Sequence, residues 1–364
     1  MHRTPLYRRH QQADARLVDF AGWQLPMDFG SALAEHRAVR EHCGLFDVSH
    51  MAITDLEGAT AGDALRLILA ADVARLDDAP PGKAQYGCLL NESGGIIDDL
   101  IIFRRAEGRY RLVSNAATRE VVQGWLERLT AAFGLRPQCR NDLAMIALQG
   151  PAAPNLIEQL PGAARAVGLP PFEALDQDPL FISRTGYTGE DGFEIILPGG
   201  EAGAAWDALI AAGARPCGLA ARDSLRLEAG LNLSGQDMDE HTTPLECGLG
   251  WTVHWSPEDR DFIGRHALAA QRAAGAGRRR QGLVLQGRGI PRHGHPVLDS
   301  AGTPIGDVTS GGWSPVLQRG IALARVAADA RGPFRVEIRG RALEAEPVRP
   351  PFVRNGKPRV DSPG

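Results

Sequence analysis

Apolar and polar positions recur at two different periods along this chain, and the changes of period divide it. Residues 31–40 (SALAEHRAVR) have helical spacing, with Leu33, His36 and Ala38 around one stripe. Residues 61–71 are apolar at helical spacing and 119–133 form an amphipathic helix; between them lie strand-like runs at 96–103 and 110–113. Strands and helices mixed in this order predict α+β packing. The run 143–148 is a further apolar strand, stopped by Gly150-Pro151. At 273–280 (AAGAGRRR) a Gly-Ala hinge followed by three arginines reads as a linker leaving a helix. Beyond it the chain is turn-rich, with strands at 283–285, 305–309, 321–326 and 334–338, the pattern of a small β-barrel or sandwich.

Length and composition narrow the picture. A chain of 364 residues exceeds what one core usually serves, so two or three domains are expected. With 43% hydrophobic and 23% charged residues it falls in the globular class, and a net charge of −4 gives no general attraction to nucleic acid or anionic membranes. The N-terminus lacks a signal-peptide core and no run approaches membrane-helix length, so the expectation is a soluble, cytoplasmic protein. Cys43, Cys88, Cys139, Cys217 and Cys247 are scattered without a C-x-x-C pair, which reads as reduced, mostly buried thiols. His293 and His295 in GIPRHGHPV have no third ligand at metal spacing, so no metal is expected there.

Three segments carry candidate chemistry. In Gly94-Gly95-Ile96-Ile97-Asp98-Asp99-Leu100 two adjacent carboxylates interrupt an apolar strand and point to opposite faces. At least one should be buried, which is costly unless it is hydrogen-bonded or used; an Asp closing the strand after the Gly-Gly corner is the plain alternative. The run 184–194 (RTGYTGEDGFE) has glycines at every third residue but neither a dinucleotide nor a phosphate-loop fingerprint. Its three acids suit a ligand rich in N–H donors, or else form an acidic surface hairpin. The run 218–230 (GLAARDSLRLEAG) is a short helix on which Arg222 and Arg226 share a face, needing a carboxylate from a ligand or, by default, from surface pairs with Asp223 and Glu228.

These segments occur in order with Arg3-Thr4-Pro5-Leu6, Asp19-Phe20-Ala21-Gly22-Trp23, Gly44-Leu45-Phe46-Asp47-Val48-Ser49-His50-Met51, Gly235-Gln236-Asp237-Met238-Asp239-Glu240, Val308-Thr309-Ser310-Gly311-Gly312 and Pro351-Phe352-Val353. Together, over residues 3–353, they resemble the aminomethyltransferase family of the glycine cleavage system. The resemblance implies an α+β, three-domain, cloverleaf-like fold. Its first domain is discontinuous (1–50 plus 138–255), its second ferredoxin-like (51–137), and its third a C-terminal β-barrel or jelly-roll-like module (275–364), with 256–274 as a connecting helix or linker. It places Asp99 at the family's catalytic position and Glu194 and Arg222 at its folate contacts, with Met51, Tyr86, Val113, Asn115, Tyr187 and Trp251 lining the same pocket. Some members carry a C-terminal aromatic near folate; here the tail reads PPFVRNGKPRV, without a tyrosine.

The activity implied is transfer of the methylene of an aminomethyl group, held on the lipoyl arm of the H-protein, to tetrahydrofolate, giving 5,10-methylenetetrahydrofolate and ammonia. Tetrahydrofolate is then a co-substrate, the lipoylated H-protein the partner, and no metal, flavin or nicotinamide is required. The arginines at 278–280, 288 and 292 are candidates for meeting an acidic H-protein surface or folate polyglutamate, against a plain solvated linker for the triplet. The alternatives are a folate-dependent demethylase of the same fold and a non-enzymatic folate-binding regulatory protein. The latter group carries a K-G-C-Y-x-G-Q-E-like segment where this chain reads TGYTGEDGFE.

Overall fold

The computed structural model describes residues 1–360; the last four residues of the expected third domain lie outside them. Three sheets carry the architecture. A five-stranded antiparallel sheet runs in the order Ala84–Leu90, Ile96–Ala106, Arg109–Ser114, Ala52–Glu57, Gln138–Cys139. The helices Ala61–Ile68 and Arg119–Thr130 cover one face, where Leu65, Ile68, Val122 and Leu126 meet Leu100, Ile102 and Leu112. This is the ferredoxin-like order with one added edge strand, Ala84–Leu90, which brings in Tyr86.

The six-stranded sheet, Ala174–Gln177, Leu180–Ser183, Gly192–Pro198, Leu143–Gln149, Gly44–Asp47, Arg215–Pro216, is built from chain on both sides of the five-stranded one. The two sheets join through Phe103 edge-on to Phe181, with Ile53, Phe46, Met145 and Val113 around them. The third unit is a closed six-stranded barrel ordered Arg278–Leu285, Arg319–Ala327, Pro304–Ser314, Pro296–Leu298, Phe334–Ile338, Arg341–Val348. No helix among the described residues is long and apolar enough to cross a membrane.

Several local expectations are corrected. The helix read at 61–71 stops at Ile68. The helix read at 31–40 forms as Ala32–Glu41, capped by Ser31 accepting from the Ala34 N–H, but its inner face is Glu35, His36, Val39 and Arg40, while Leu33 is 45% exposed. Apolar spacing misplaced that face because the ionisable residues on it are satisfied by partners far away in sequence. The arginine triplet is not a linker. Arg278, Arg279 and Arg280 open the first barrel strand, paired with Ala327, Val326 and Arg325. Arg279 donates to the Ala328 and Ala330 carbonyls and Arg280 to the Gly230 carbonyl, so long stems and satisfied heads make the run a strand despite its polarity.

The Gly-Gly corner before the two aspartates has a steric reason. Asn91 accepts from the Ser93 and Gly95 N–H groups and donates to the Glu240 carbonyl at 2.9 Å, which draws that carbonyl onto Gly95. A Cβ at Gly95 would stand 1.8 Å from the Glu240 oxygen, and Gly94 has φ +81°. Gly95→Ala is therefore expected to cost about 1–3 kcal/mol, read as a lower urea midpoint at unchanged m-value.

Candidate active site

Asp99 is placed by strand alternation. In Ile96–Ala106, Asp99, Ile101 and Phe103 face the six-stranded sheet, while Leu100 and Ile102 face the helices. Opposite Asp99 stands Cys88 and opposite Ile101 stands Tyr86, two pairs further along on the same face. The Tyr86 hydroxyl donates to Asp99 Oδ2 at 2.8 Å and the Asn115 amide donates to Asp99 Oδ1 at 2.8 Å. Burial pushes the Asp99 carboxyl up, and these two donors offset part of that. Asp98, wholly buried on the other side, is pushed up to about 7 by burial and by the Asp99 charge beside it.

The opposite wall comes from the six-stranded sheet and the helix Leu219–Glu228. That helix starts at Gly218, whose N–H donates to Glu35 Oε2 at 2.8 Å; a Cβ there would meet the Met27 carbonyl at 2.4 Å. One turn on, the Arg222 guanidinium lies 4.6 Å from the centre of the Tyr187 ring. Among the described residues it has no hydrogen-bonded or ion-pair partner. Burial lowers its pKa, opposed by Tyr187 and Glu194. Tyr187 donates to the Asn232 carbonyl, and burial together with the nearby Asp99 charge raises its pKa.

The loop bearing Tyr187 is stapled by Gln149, which donates to the Thr185 carbonyl at 3.1 Å and accepts from Thr188 Oγ1 at 2.9 Å. Its three acids separate by role. Asp191 takes a two-point bond from Arg184, at 2.9 and 2.5 Å, and Glu190 pairs with Arg40 at 2.5 Å. Glu194 alone is left: Oε2 accepts from Thr185 Oγ1 at 2.5 Å, and Oε1 has no partner among the described residues. Burial raises its pKa, moderated by Thr185 and Arg222. A surface hairpin is thereby set aside, since Glu194 is buried at the middle of a sheet.

The remaining expected residues fall around these two walls. Trp251, 66% exposed, stacks on Tyr86 with centroids 5.8 Å apart. Val113 is buried in the apolar cluster beneath Asp99, and Met51 packs against the same cluster. Glu228, read as a surface partner of the helix arginines, is instead wholly buried with Arg40, while Arg226 pairs with Asp223 and with Asp237 at 2.7 and 3.0 Å.

Other participants escaped the sequence reading. Arg119 donates to the His50 and Met51 carbonyls at 2.9 and 3.1 Å, tying the Met51 turn to the loop that bears Asn115. His50 is buried edge-on to Phe20 and pushed down to about 3 by burial and the Arg222 charge, so its imidazole is neutral. No local signal marks either residue, because their partners come from separate segments. At the tail, Phe352 packs with Leu227, Val284 and Ile321 as core. His293 Nδ1 lies 2.8 Å from the Thr309 carbonyl and His295 Nδ1 accepts from the Arg292 N–H at 3.2 Å.

Comparison with known proteins adds the lineage. Residues 6–257 match the model of the GCVT N-terminal domain and residues 278–354 that of the glycine cleavage T-protein C-terminal barrel domain. The chain is 53% identical over 357 residues to the aminomethyltransferase of Nitrosococcus oceani, covering 97% of this chain and 95% of that one. It is also 53% identical over 358 residues to the aminomethyltransferase of Methylococcus capsulatus, covering 98% of each. The crystal structure of glycine cleavage system aminomethyltransferase T from Bartonella henselae superposes with a TM-score of 0.91 at 38% identity, covering 97% of this chain and 98% of that one. Two domain models that together span most of the chain, and full-length relatives at this identity, show that the chain belongs to the aminomethyltransferase family of the glycine cleavage system.

Proposed function

We propose that this chain moves the methylene of an aminomethyl group, carried on the lipoyl arm of H-protein, to tetrahydrofolate, yielding 5,10-methylenetetrahydrofolate and ammonia. The observation that carries the reading is the pairing of two unspent groups with one held carboxylate. Arg222 and Glu194 Oε1 have no hydrogen-bonding partner of their own among the described residues, while Asp99 is fixed by Tyr86 and Asn115. An unpaired carboxylate oxygen on a largely buried glutamate and a free guanidinium suit a ligand with N–H donors at one edge and an anionic or carbonyl group nearby, which is the pattern a reduced pterin with its glutamate tail presents. Tyr86, Val113, Met51 and Trp251 supply apolar and aromatic surface for its rings.

In this reading Asp99 acts by position and charge. Its carboxylate orients the reacting folate nitrogen, stabilises positive charge at the transferring carbon and takes up the proton released as the new C–N bond forms. The neutral His50 adds no positive charge of its own beside Arg222. Tyr187 holds the Arg222 plane against its ring. The domain division 1–50 with 138–255, 51–137 and 275–364 belongs to the same reading; the six-stranded sheet, drawing strands from both sides of the five-stranded one, supports it. So does a cytoplasmic setting, for which five free cysteines are suited.

Aminomethyl-loaded H-protein incubated with and without tetrahydrofolate tests the proposal, with ammonia and methylenetetrahydrofolate as readouts. Folate-dependent release of both is the expected result. Tight folate binding without turnover would replace the reading with a demethylase acting on another donor, or a folate-binding regulator. Glu194→Gln keeps the shape but loses the charge for the N–H edge, and is expected to weaken tetrahydrofolate binding about 10–100-fold by calorimetry.

A further inference from the structure

Asp98 has no place in the chemistry just described. It is fully buried and faces the helices, away from the site. Yet both of its oxygens are engaged by Asn115, with the Thr118 hydroxyl close by. Oδ2 accepts the Asn115 backbone N–H at 3.0 Å, and Oδ1 accepts the Asn115 side-chain amide at 2.7 Å. The second hydrogen of that amide goes to Asp99 Oδ1 at 2.8 Å, with the Asp99 carbonyl at 3.2 Å. Asn115 follows the strand Arg109–Ser114 at the sheet's end, which is how one amide reaches residues on opposite faces of Ile96–Ala106.

An ionised carboxylate only accepts hydrogen bonds, so above about pH 7, where Asp98 has lost its proton, an amide lying between it and Asp99 keeps its nitrogen toward them. The nitrogen must face the aspartates, and the oxygen is left as the free polar atom, with no partner among the described residues. We propose that Asp98 is a positioning residue that acts through Asn115: it locks the amide so that Asp99 receives a donor and the folate side meets an acceptor. This rests on the folate reading above and deepens it. Without the Asp98 charge the amide can turn, and then Asp99 faces an oxygen and the ligand faces a donor.

A double-mutant cycle of Asp98→Asn, Asn115→Ala and the pair tests this, followed by tetrahydrofolate affinity and, separately, by kcat with loaded H-protein. Each single variant is expected to lower affinity about 10-fold and kcat about 10–100-fold, and the pair to be no worse than the weaker single by more than about twofold. Effects that multiply, or an Asp98→Asn protein with unchanged affinity and kcat, would overturn the proposal. If Asp98→Asn gives no cooperative melt, Asp98→Ser goes through the same cycle under the same criteria, because its hydroxyl can accept from the amide without charge. Affinity is read without turnover, so absence of aminomethyl transfer in the unaltered protein would sink the functional reading and leave the cycle interpretable.

Discussion

Asp99→Asn is expected to lower kcat about 10²–10³-fold while leaving tetrahydrofolate affinity within about threefold. The substitution is close to isosteric. The new side chain keeps its oxygen toward the donating Asn115 amide and turns its NH2 to the Tyr86 hydroxyl, which accepts as well as donates, so the cavity keeps its shape. What disappears is the negative charge beside the transferring carbon and the base for its proton. The size follows from removing one preorganised charge in a site shielded from water. A companion effect separates charge from geometry. Asp98 is held at about 7 by burial and by the Asp99 charge, so in the variant one of the two causes is gone and the Asp98 carboxyl titrates lower, as NMR of that carboxyl would show. Near-normal turnover in Asp99→Asn would remove Asp99 from the chemistry and leave it a structural acceptor for Tyr86 and Asn115.

How much of this was legible depends on whether a segment's surroundings are local. The strands Ile96–Ala106 and Leu143–Gln149 and the helices Ala61–Ile68 and Arg119–Thr130 were readable because their buried positions are apolar and evenly spaced. The barrel strand Arg278–Leu285 was half hidden, since three arginines mask the alternation that begins at Leu283. In the site, opposite-facing aspartates and an acid-rich loop were visible, but not their division of labour. Asp191 and Glu190 are spent on Arg184 and Arg40, which leaves Glu194 for a ligand, and no spacing rule distinguishes the three. Asp99, Glu194 and Arg222 were singled out by resemblance to a family, whereas the bridging amide of Asn115 and the tie from Arg119 exist only once three separate loops have met.

The helix Ala32–Glu41 carries the largest stability effect. Arg40 donates to Glu190 Oε1 at 2.5 Å, to the Thr188 carbonyl at 2.7 Å, and through Nε and Nη2 to Glu228 Oε2 at 3.1 and 2.9 Å. Glu228 also lies 3.1 Å from His36 Nε2, and its other oxygen accepts from Ser314 Oγ at 2.5 Å and the Val316 N–H at 3.1 Å. The barrel is thereby fastened to the helix that presents Arg222. Arg40→Met fills similar volume but strands two buried carboxylates, an expected loss of about 3–5 kcal/mol in urea unfolding near neutral pH. The pH dependence carries the diagnosis. In the unaltered protein burial raises the Glu228 pKa, but His36, Arg40 and Ser314 outweigh it and hold it below the ordinary value. Its contribution is therefore complete above the unfolded pKa and is lost as pH falls through the folded one. Burial already holds Glu190 above its ordinary value despite Arg40; without Arg40 it rises further and Glu228 loses one of the groups that hold it down, so folding takes up more protons than in the unaltered protein and the variant gains stability relative to it as pH falls. The gap between the two proteins should narrow from about pH 8 to about pH 5. A gap that is constant over that range, or below about 1 kcal/mol throughout, would mean that Arg40 contributes packing and that the two glutamates are not charged in the folded protein.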